Sequence, residues 1–232
     1  MGIVWGIVHP GVTLVVMWVV FSVGFKEMGG MSYPFIVWLV PGYIGWQYMS
    51  EGIISGTSAI IERGYLVKQM VFRVEILPVV KIMSALVVHL IFIVVMVVVI
   101  WLEGYGPRLS NVQLIYYVIC GSGLAYGVSM LSSSLAVISR DIVQVVNMGM
   151  QLCFWGTPIF WNAGILPEEY RWIVEINPMA YVVEGYRRSM LSGEYFWERP
   201  EEMLRYWLIT LVLIKVGRYV FRKMRVHFAD VL

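Results

Sequence analysis

The sequence predicts an all-α integral membrane fold: six transmembrane helices, with two short re-entrant helices between the fifth and the sixth. Three observations carry this. The 232 residues are 59% hydrophobic and only 14% charged, with a mean hydropathy of +0.76, far more apolar than a soluble domain of this length. Runs such as 12–25 and 76–102 approach or exceed the roughly 20 apolar residues that cross a hydrocarbon core about 30 Å thick. Alternation with a period of two is absent, so helices rather than a barrel satisfy the backbone in lipid.

A single membrane domain over 1–232 accommodates spans at about 4–25, 34–60, 76–102, 112–138, 142–162 and 204–220. The first begins within a few residues of Met1 with no basic leader before it and no small-residue cleavage site after it, so it reads as a span and not a signal peptide. The third is the longest apolar run. Cys120 and Cys153 fall inside the fourth and fifth spans and make no close metal-ligand pair; both read as packing residues.

Charge placement orients the spans. With Met1 inside, Arg63, Lys68, Arg73, Lys81, Arg140, Lys215, Arg218, Arg222, Lys223 and Arg225 lie on the inner side, and the short outer loops keep only Lys26 and Arg108. The other basic residues sit in the long segment after the fifth span, outnumbered by the glutamates between Glu168 and Glu202. Inner loops carry the Lys/Arg excess, so both termini are expected to be cytoplasmic.

The outer segment 163–193 contains ILPEEYRWIVEINPMAYVVEGYR. Pro167 followed by Glu168 and Glu169 opens one short helix, and Asn177 caps a second that starts at Pro178. The second places Met179, Val182, Tyr186 and Met190 on one face and should stop near Ser192-Gly193. About 13 residues reach roughly 20 Å, too little to cross the core. The pair is therefore expected to dip into the outer leaflet as a gate that includes Pro158, Pro167, Asn177, Pro178 and Arg187; amphipathic helices lying flat on the surface are the alternative.

Three spans carry polar stripes. In the fifth, Gln144, Asn147, Gln151, Phe154 or Trp155, and Pro158 recur every three or four residues. Gln47, Glu51, Ser55 and Ser58 do so in the second, beside Tyr48, and Ser122, Tyr126, Ser129 and Ser133 in the fourth. Together they suggest a shared polar interior, although such residues also serve simply as interhelical hydrogen-bond partners. A carboxylate near mid-span, Glu51, marks function by default. His89, alone on the third span, reads as a satisfied bundle residue. Gly123 and Gly127 read as a close-packing contact. The aromatics around Trp38, Trp46, Phe154, Trp155 and Trp161 divide between an interfacial belt and surfaces for a passing sugar chain. The sequence shows no Walker A loop, zinc signature or nucleophile elbow.

The run TPIFWNAGILPEEYRWIVEINPMAYVVEGYR resembles the polysaccharide and O-antigen export permeases of type-2 ABC transporters, in which a Pro-Ile-aromatic motif precedes Leu-Pro-Glu and an Asn-Pro helix start. WGIVHP, YLVKQMVFRVEILP, SRDI and HFADVL match the family's first span, first cytoplasmic loop, pre-fifth-span loop and tail in order, so the resemblance covers essentially the whole chain. It implies a homodimer of six-span subunits in the inner membrane, paired with two copies of a nucleotide-binding ATPase, that exports a polyprenyl-diphosphate-linked glycan as part of lipopolysaccharide or related biosynthesis. ATP and Mg would be used by the partner, and this chain would bind no cofactor and no nucleic acid. Members usually carry a further amphipathic helix before the first span, and Phe-Pro where this chain has Phe72-Arg73. The expected cargo path is Phe154, Trp155, Trp161, Gln151, Asn147, Gln47, Glu51 and Tyr48; the expected ATPase dock is Glu62, Arg63, Leu66, Lys68 and Phe72. Two rival readings are an ABC exporter of drugs or lipids, which needs an apolar pocket, and an intramembrane glycosyl or acyl transferase, which needs an acid and base together.

Overall fold

In the computed structural model, which describes residues 2–24, 33–67 and 73–228, every regular element among the described residues is helical. Helix α1 (Gly2–Val19) runs through Pro10 and loosens into a wide π turn over Val20–Gly24. Helix α2 (Phe35–Ser58) leads through a 3-10 turn to the short α3 (Gly64–Val67). Helix α4 (Ile76–Leu102) coincides with the third expected span, and a 3-10 turn at Leu109–Gln113 opens α5 (Leu114–Ile138). Helices α6 (Asp141–Gly156), α7 (Arg171–Ile176), α8 (Pro178–Arg187) and α9 (Pro200–Met224) complete the chain.

Helix α2 is the centre of the bundle. Its side chains are buried almost without interruption from Val37 to Trp46, because α4, α5, α6 and α8 all pack against it. Helix α5 bridges α2 and α9. Its Gly127 meets α9 at Gly217, where an added Cβ would lie 2.5 Å from the Gly127 carbonyl oxygen. Gly123 faces Thr210 of the same helix. The Gly123–Gly127 pair is thus a close helix contact of the small-residue kind. By contrast α4 turns Met83, Val87, Leu90 and Val94 outward, as a helix that faces lipid does.

Three helical segments among the described residues are long and apolar enough to cross a membrane: Val4–Ser22, Ile76–Leu102 and Leu109–Ile138. The chain is a multi-pass membrane protein by this measure. Helix α6 corrects the sequence expectation most. It ends at Gly156 rather than near 162, because Thr157 turns extended (φ −97°, ψ 136°) as the residue before a proline is forced to do. Its 16 residues reach only about 24 Å. Helix α9 is longer than expected, with Pro200 in its first turn together with Glu201 and Glu202, and Arg222 and Lys223 in its last, each sign complementing the helix dipole. Helix α1 stops at Val19, short of the expected 25.

The outer segment follows its expected helix ends. Asn177 Oδ1 accepts the Met179 N–H at 3.0 Å and its Nδ2 donates to Thr157 Oγ1 at 2.8 Å. A π turn at Arg188–Ser192 continues α8 until Gly193, whose φ of +81° ends it. Pro167 opens a 3-10 turn at Glu168–Tyr170 that leads into α7. Met179, Val182, Tyr186 and Met190 are all buried, so α8 packs inside the bundle rather than along its surface. Helix α7 buries no residue.

Candidate functional site

Of the residues expected to form a gate, Arg187 and Pro158 meet directly. The Arg187 guanidinium is buried, stacks on the Trp38 ring at 3.4 Å and donates to three backbone carbonyls: Trp38 at 3.1 Å, Pro158 at 2.6 Å and Ile159 at 2.5 Å. It also pairs with Glu184 one turn back on α8. A planar donor fork suits such a convergence where an ammonium would not. Gly42 on α2 gives it room, since a Cβ there would lie 2.5 Å from the guanidinium. One side chain thus fastens α8 to α2 and to the broken end of α6. Pro167 stands apart, at the start of the 3-10 turn before α7.

At that broken end the aromatics form a chain of ring contacts. Phe154 meets Trp46 at 5.7 Å and Trp155 at 5.7 Å, and Trp155 meets Phe160 at 5.1 Å. Phe160 continues the series to Phe21 at 5.3 Å. Trp161 Nε1 donates to the Trp155 carbonyl at 3.1 Å. Phe160 is buried and Phe154 half-buried, whereas Trp155 is 61% exposed. Gln144 and Gln151 below it are also exposed and Asn147 is half-buried. Helix α6 therefore presents a face graded from amides to an aromatic ring, turned away from its own bundle.

The three polar stripes do not share one interior within the chain, which corrects that expectation. The α5 stripe is a packing seam: Ser122 shares a hydrogen bond with Tyr48 at 2.6 Å, Ser129 donates to the Gly52 carbonyl at 3.2 Å and Ser133 is buried, while the adjacent Ser132 pairs with Thr57 at 2.7 Å. The α2 stripe faces the other way. Gln47, Tyr48, Glu51 and Ser55 line a groove of about 520 Å³ between α1, α2 and α4, with Trp5, His9, Arg63, Lys81, Ser84 and His89. The sequence separated Gln47, Glu51 and Tyr48 from Arg63 by role; the fold puts all four in one groove.

Within that groove His89 is a satisfied bundle residue. Its Nε2 is 2.7 Å from the Tyr186 hydroxyl, and its ring stacks on Tyr48 at 4.4 Å. Among the described residues nothing holds it against Glu51 as an acid and base pair. Lys81 went unremarked in sequence beyond its sign, although it is the one ionised residue in the long apolar run of α4. It binds Glu62 at 2.6 Å, which in turn accepts the Ser58 hydroxyl at 2.6 Å. Partial burial raises the Glu62 carboxyl, but the hydrogen bonds from Lys81 and Ser58 and the charges of Lys81 and Arg63 outweigh it and hold the group below its ordinary value. Of the expected ATPase dock, Glu62 and Arg63 lie exposed in the turn after α2; Lys68, Phe72 and the side chain of Leu66 lie outside the described residues.

A second cavity, about 610 Å³, opens between α7, α8 and α9. Its walls are tied by Arg188–Glu202 at 2.7 Å and Arg205–Glu175 at 2.8 Å.

Comparison with known proteins gives a consistent result. Residues 1–191 match the family model described as ABC-2 type transporter. The chain is 26% identical over 234 residues to an O-antigen export system permease protein RfbA of Klebsiella pneumoniae, covering 100% of this chain and 88% of that protein. A second protein of that name from the same organism is 24% identical, and one from Myxococcus xanthus is 21% identical, each covered to 87%.

Proposed function

Because this chain belongs to the ABC-2 type transporter family, we propose that it forms the membrane subunit of an ATP-driven exporter that moves a lipid-linked polysaccharide, of O-antigen, capsule or teichoic-acid type, across the cytoplasmic membrane. One observation carries the choice of cargo: on the side of α6 that the rest of the chain leaves uncovered, Gln144, Gln151 and Trp155 stand exposed beside Val145, Met148 and Leu152, with Asn147 half-buried among them. Amide groups and flat rings suit a hydroxyl-rich sugar, whereas a drug is held in an enclosed apolar pocket. Uncovered amides are unfavourable in lipid, so a second copy of this chain faces the first and the glycan slides between them. The relatives named for O-antigen export support the same cargo.

In this reading six helices span, with α2 and α9 long enough at 24 and 25 residues and α6 reaching the outer face through its extended end. Both termini and the 61–75 stretch are cytoplasmic, and α7 and α8 form the re-entrant outer gate. Two copies of a separate nucleotide-binding subunit use ATP and Mg, docking around Glu62, Arg63, Leu66, Lys68 and Phe72. The test is reconstitution in membranes. The chain alone should hydrolyse no ATP, gain activity with its partner, and restore surface glycan to a strain lacking it. ATP turnover by a preparation free of other ATPases, or transport of hydrophobic drugs with no glycan reaching the surface, would refute the assignment.

A further inference from the structure

The groove between α1, α2 and α4 takes no residue from α6, and it is built like a binding site. On α2 it runs from Tyr43 to Ser55 and on α4 from Val80 to Phe92, about 18 Å in each case at the helical rise. Its volume of about 520 Å³ is that of a small-ligand site. The two cations, Arg63 and Lys81, stand at the end nearer the α2–α3 turn. Lys81 shares its charge with Glu62, but the Arg63 side chain makes no hydrogen bond among the described residues. Some turns along α2 from Arg63 lie the Glu51 carboxylate and the Gln47 amide. Neither makes a side-chain hydrogen bond among the described residues; Ser55 donates to the Glu51 backbone carbonyl instead. The walls between mix apolar residues such as Pro10, Val88 and Phe92 with His9, Ser84 and His89, and Trp5 offers a ring that is 66% exposed.

A carboxyl group and a primary amide left unpaired on a membrane helix are unfavourable unless something answers them. Cations at one end call for a phosphate. A carboxylate, an amide and an open indole call for hydroxyls on a compact ring or polyol. We infer that this groove binds a phosphorylated, hydroxyl-bearing lipid headgroup, with its phosphate at Arg63 and Lys81, its hydroxyls at Glu51 and Gln47, and its tail leaving between α1 and α4. Two sources have that chemistry: a bilayer lipid such as phosphatidylglycerol, and a polyprenyl diphosphate bearing its first sugar. The inference needs a membrane location and no particular cargo.

The experiment is native mass spectrometry of the full chain, both alone and with its ATPase partner so that a loss of docking at Arg63 is told apart from a loss of lipid, incubated with each of four probes: phosphatidylglycerol, phosphatidic acid, diacylglycerol and a short sugar-linked polyprenyl diphosphate. Replacing Arg63→Gln and Lys81→Gln together should lower retention of the phosphate lipids at least tenfold, and Lys81→Arg should preserve it. Glu51→Gln should lower phosphatidylglycerol or the sugar lipid at least threefold and leave phosphatidic acid unchanged, since that headgroup carries no alcohol hydroxyl to donate to Glu51. If the double variant does not fold, Ser84→Trp fills the groove with both cations kept and should give the same loss. Retention of phosphatidylglycerol that the sugar lipid cannot displace makes the occupant a bilayer lipid; displacement makes it the carrier. Either supports the site. Diacylglycerol held as well as the phosphate lipids, or an equal loss on Arg218→Gln at the far end of the chain, would overturn it.

Discussion

The end of the bundle around α8 and the neighbouring face of α6 use the same kinds of side chain to opposite ends. Around α8 each polar group of the gate is answered inside the chain: Arg187 by three carbonyls, the Trp38 ring and Glu184, and Asn177 by Thr157 and the Met179 N–H. Along α6, Gln144, Asn147 and Gln151 are answered by nothing among the described residues, and Trp155 is turned outward. A satisfied network sets a shape, because each member left alone would carry the full cost of desolvation. An unsatisfied face implies something that is not part of the chain. The α8 end is therefore fixed by the chain's own contacts, and the α6 face is not.

The largest effect should come from removing the fastening itself. Arg187→Met leaves three carbonyls and Glu184 without their donor, and disrupting a buried charged network of this kind costs about 3–5 kcal/mol. Folded protein in the membrane should fall severely, as measured by abundance and by the thermal midpoint of the purified complex. Normal abundance would show that α8 is held by something other than Arg187 and would end the contrast between the two regions.

A smaller loss should follow from pushing α8 off α5. A Cβ at Gly185 would lie 2.0 Å from the Tyr117 ring, so Gly185→Ala should destabilise by about 1–3 kcal/mol through overpacking, read as a lower thermal midpoint. The same change at Gly149 on α6, where an added Cβ meets nothing within 4 Å, should leave the midpoint unchanged. The pair of variants sharpens the comparison, since it separates a packed face from an open one with a single methyl group.

Parts of this comparison were legible in sequence. The Asn177-Pro178 start and the Gly193 stop of α8 were read from local chemistry, which acts over a few residues and survives in any tertiary setting. The carbonyl partners of Arg187 were not, because Trp38 lies 149 positions away and Pro158 lies 29 away. Periodicity found the serine stripe of α5 but could not say what it faced, and it proved to be a seam against α2. The end of α6 was written in Thr157-Pro158, yet the apolar run beyond it suggested a longer span. Lys81 was visible as the one ionised residue of α4 and was assigned only a sign, since its partner Glu62 comes from another helix end.

The smallest effect belongs to the Lys81–Glu62 latch beside the α2–α3 turn. Glu62 titrates below its ordinary value, so its contribution to stability is present above the unfolded value of about 4.5 and fades as pH falls through the lower folded value. The Lys81 and Glu62 side chains are partly exposed, so the contribution is modest. Glu62→Gln should lower the thermal midpoint slightly at pH 7, and the gap to the parent protein should close as the buffer is taken below pH 4. A gap that is unchanged by pH would mean the latch contributes through packing and not through charge.

The central claim is that Trp155 and the amides beneath it are a surface for cargo and not a structural element. It is tested most directly by measuring surface glycan, protein abundance and co-purified ATPase in the same cells carrying Trp155→Ala. Because the ring is largely exposed and its contacts are edge contacts with Phe154 and Phe160, stability should change by no more than about 0.5 kcal/mol. The account predicts that surface glycan falls severalfold while abundance and partner binding stay near the parent level. Undiminished glycan at normal abundance, or glycan and abundance falling together, would contradict it.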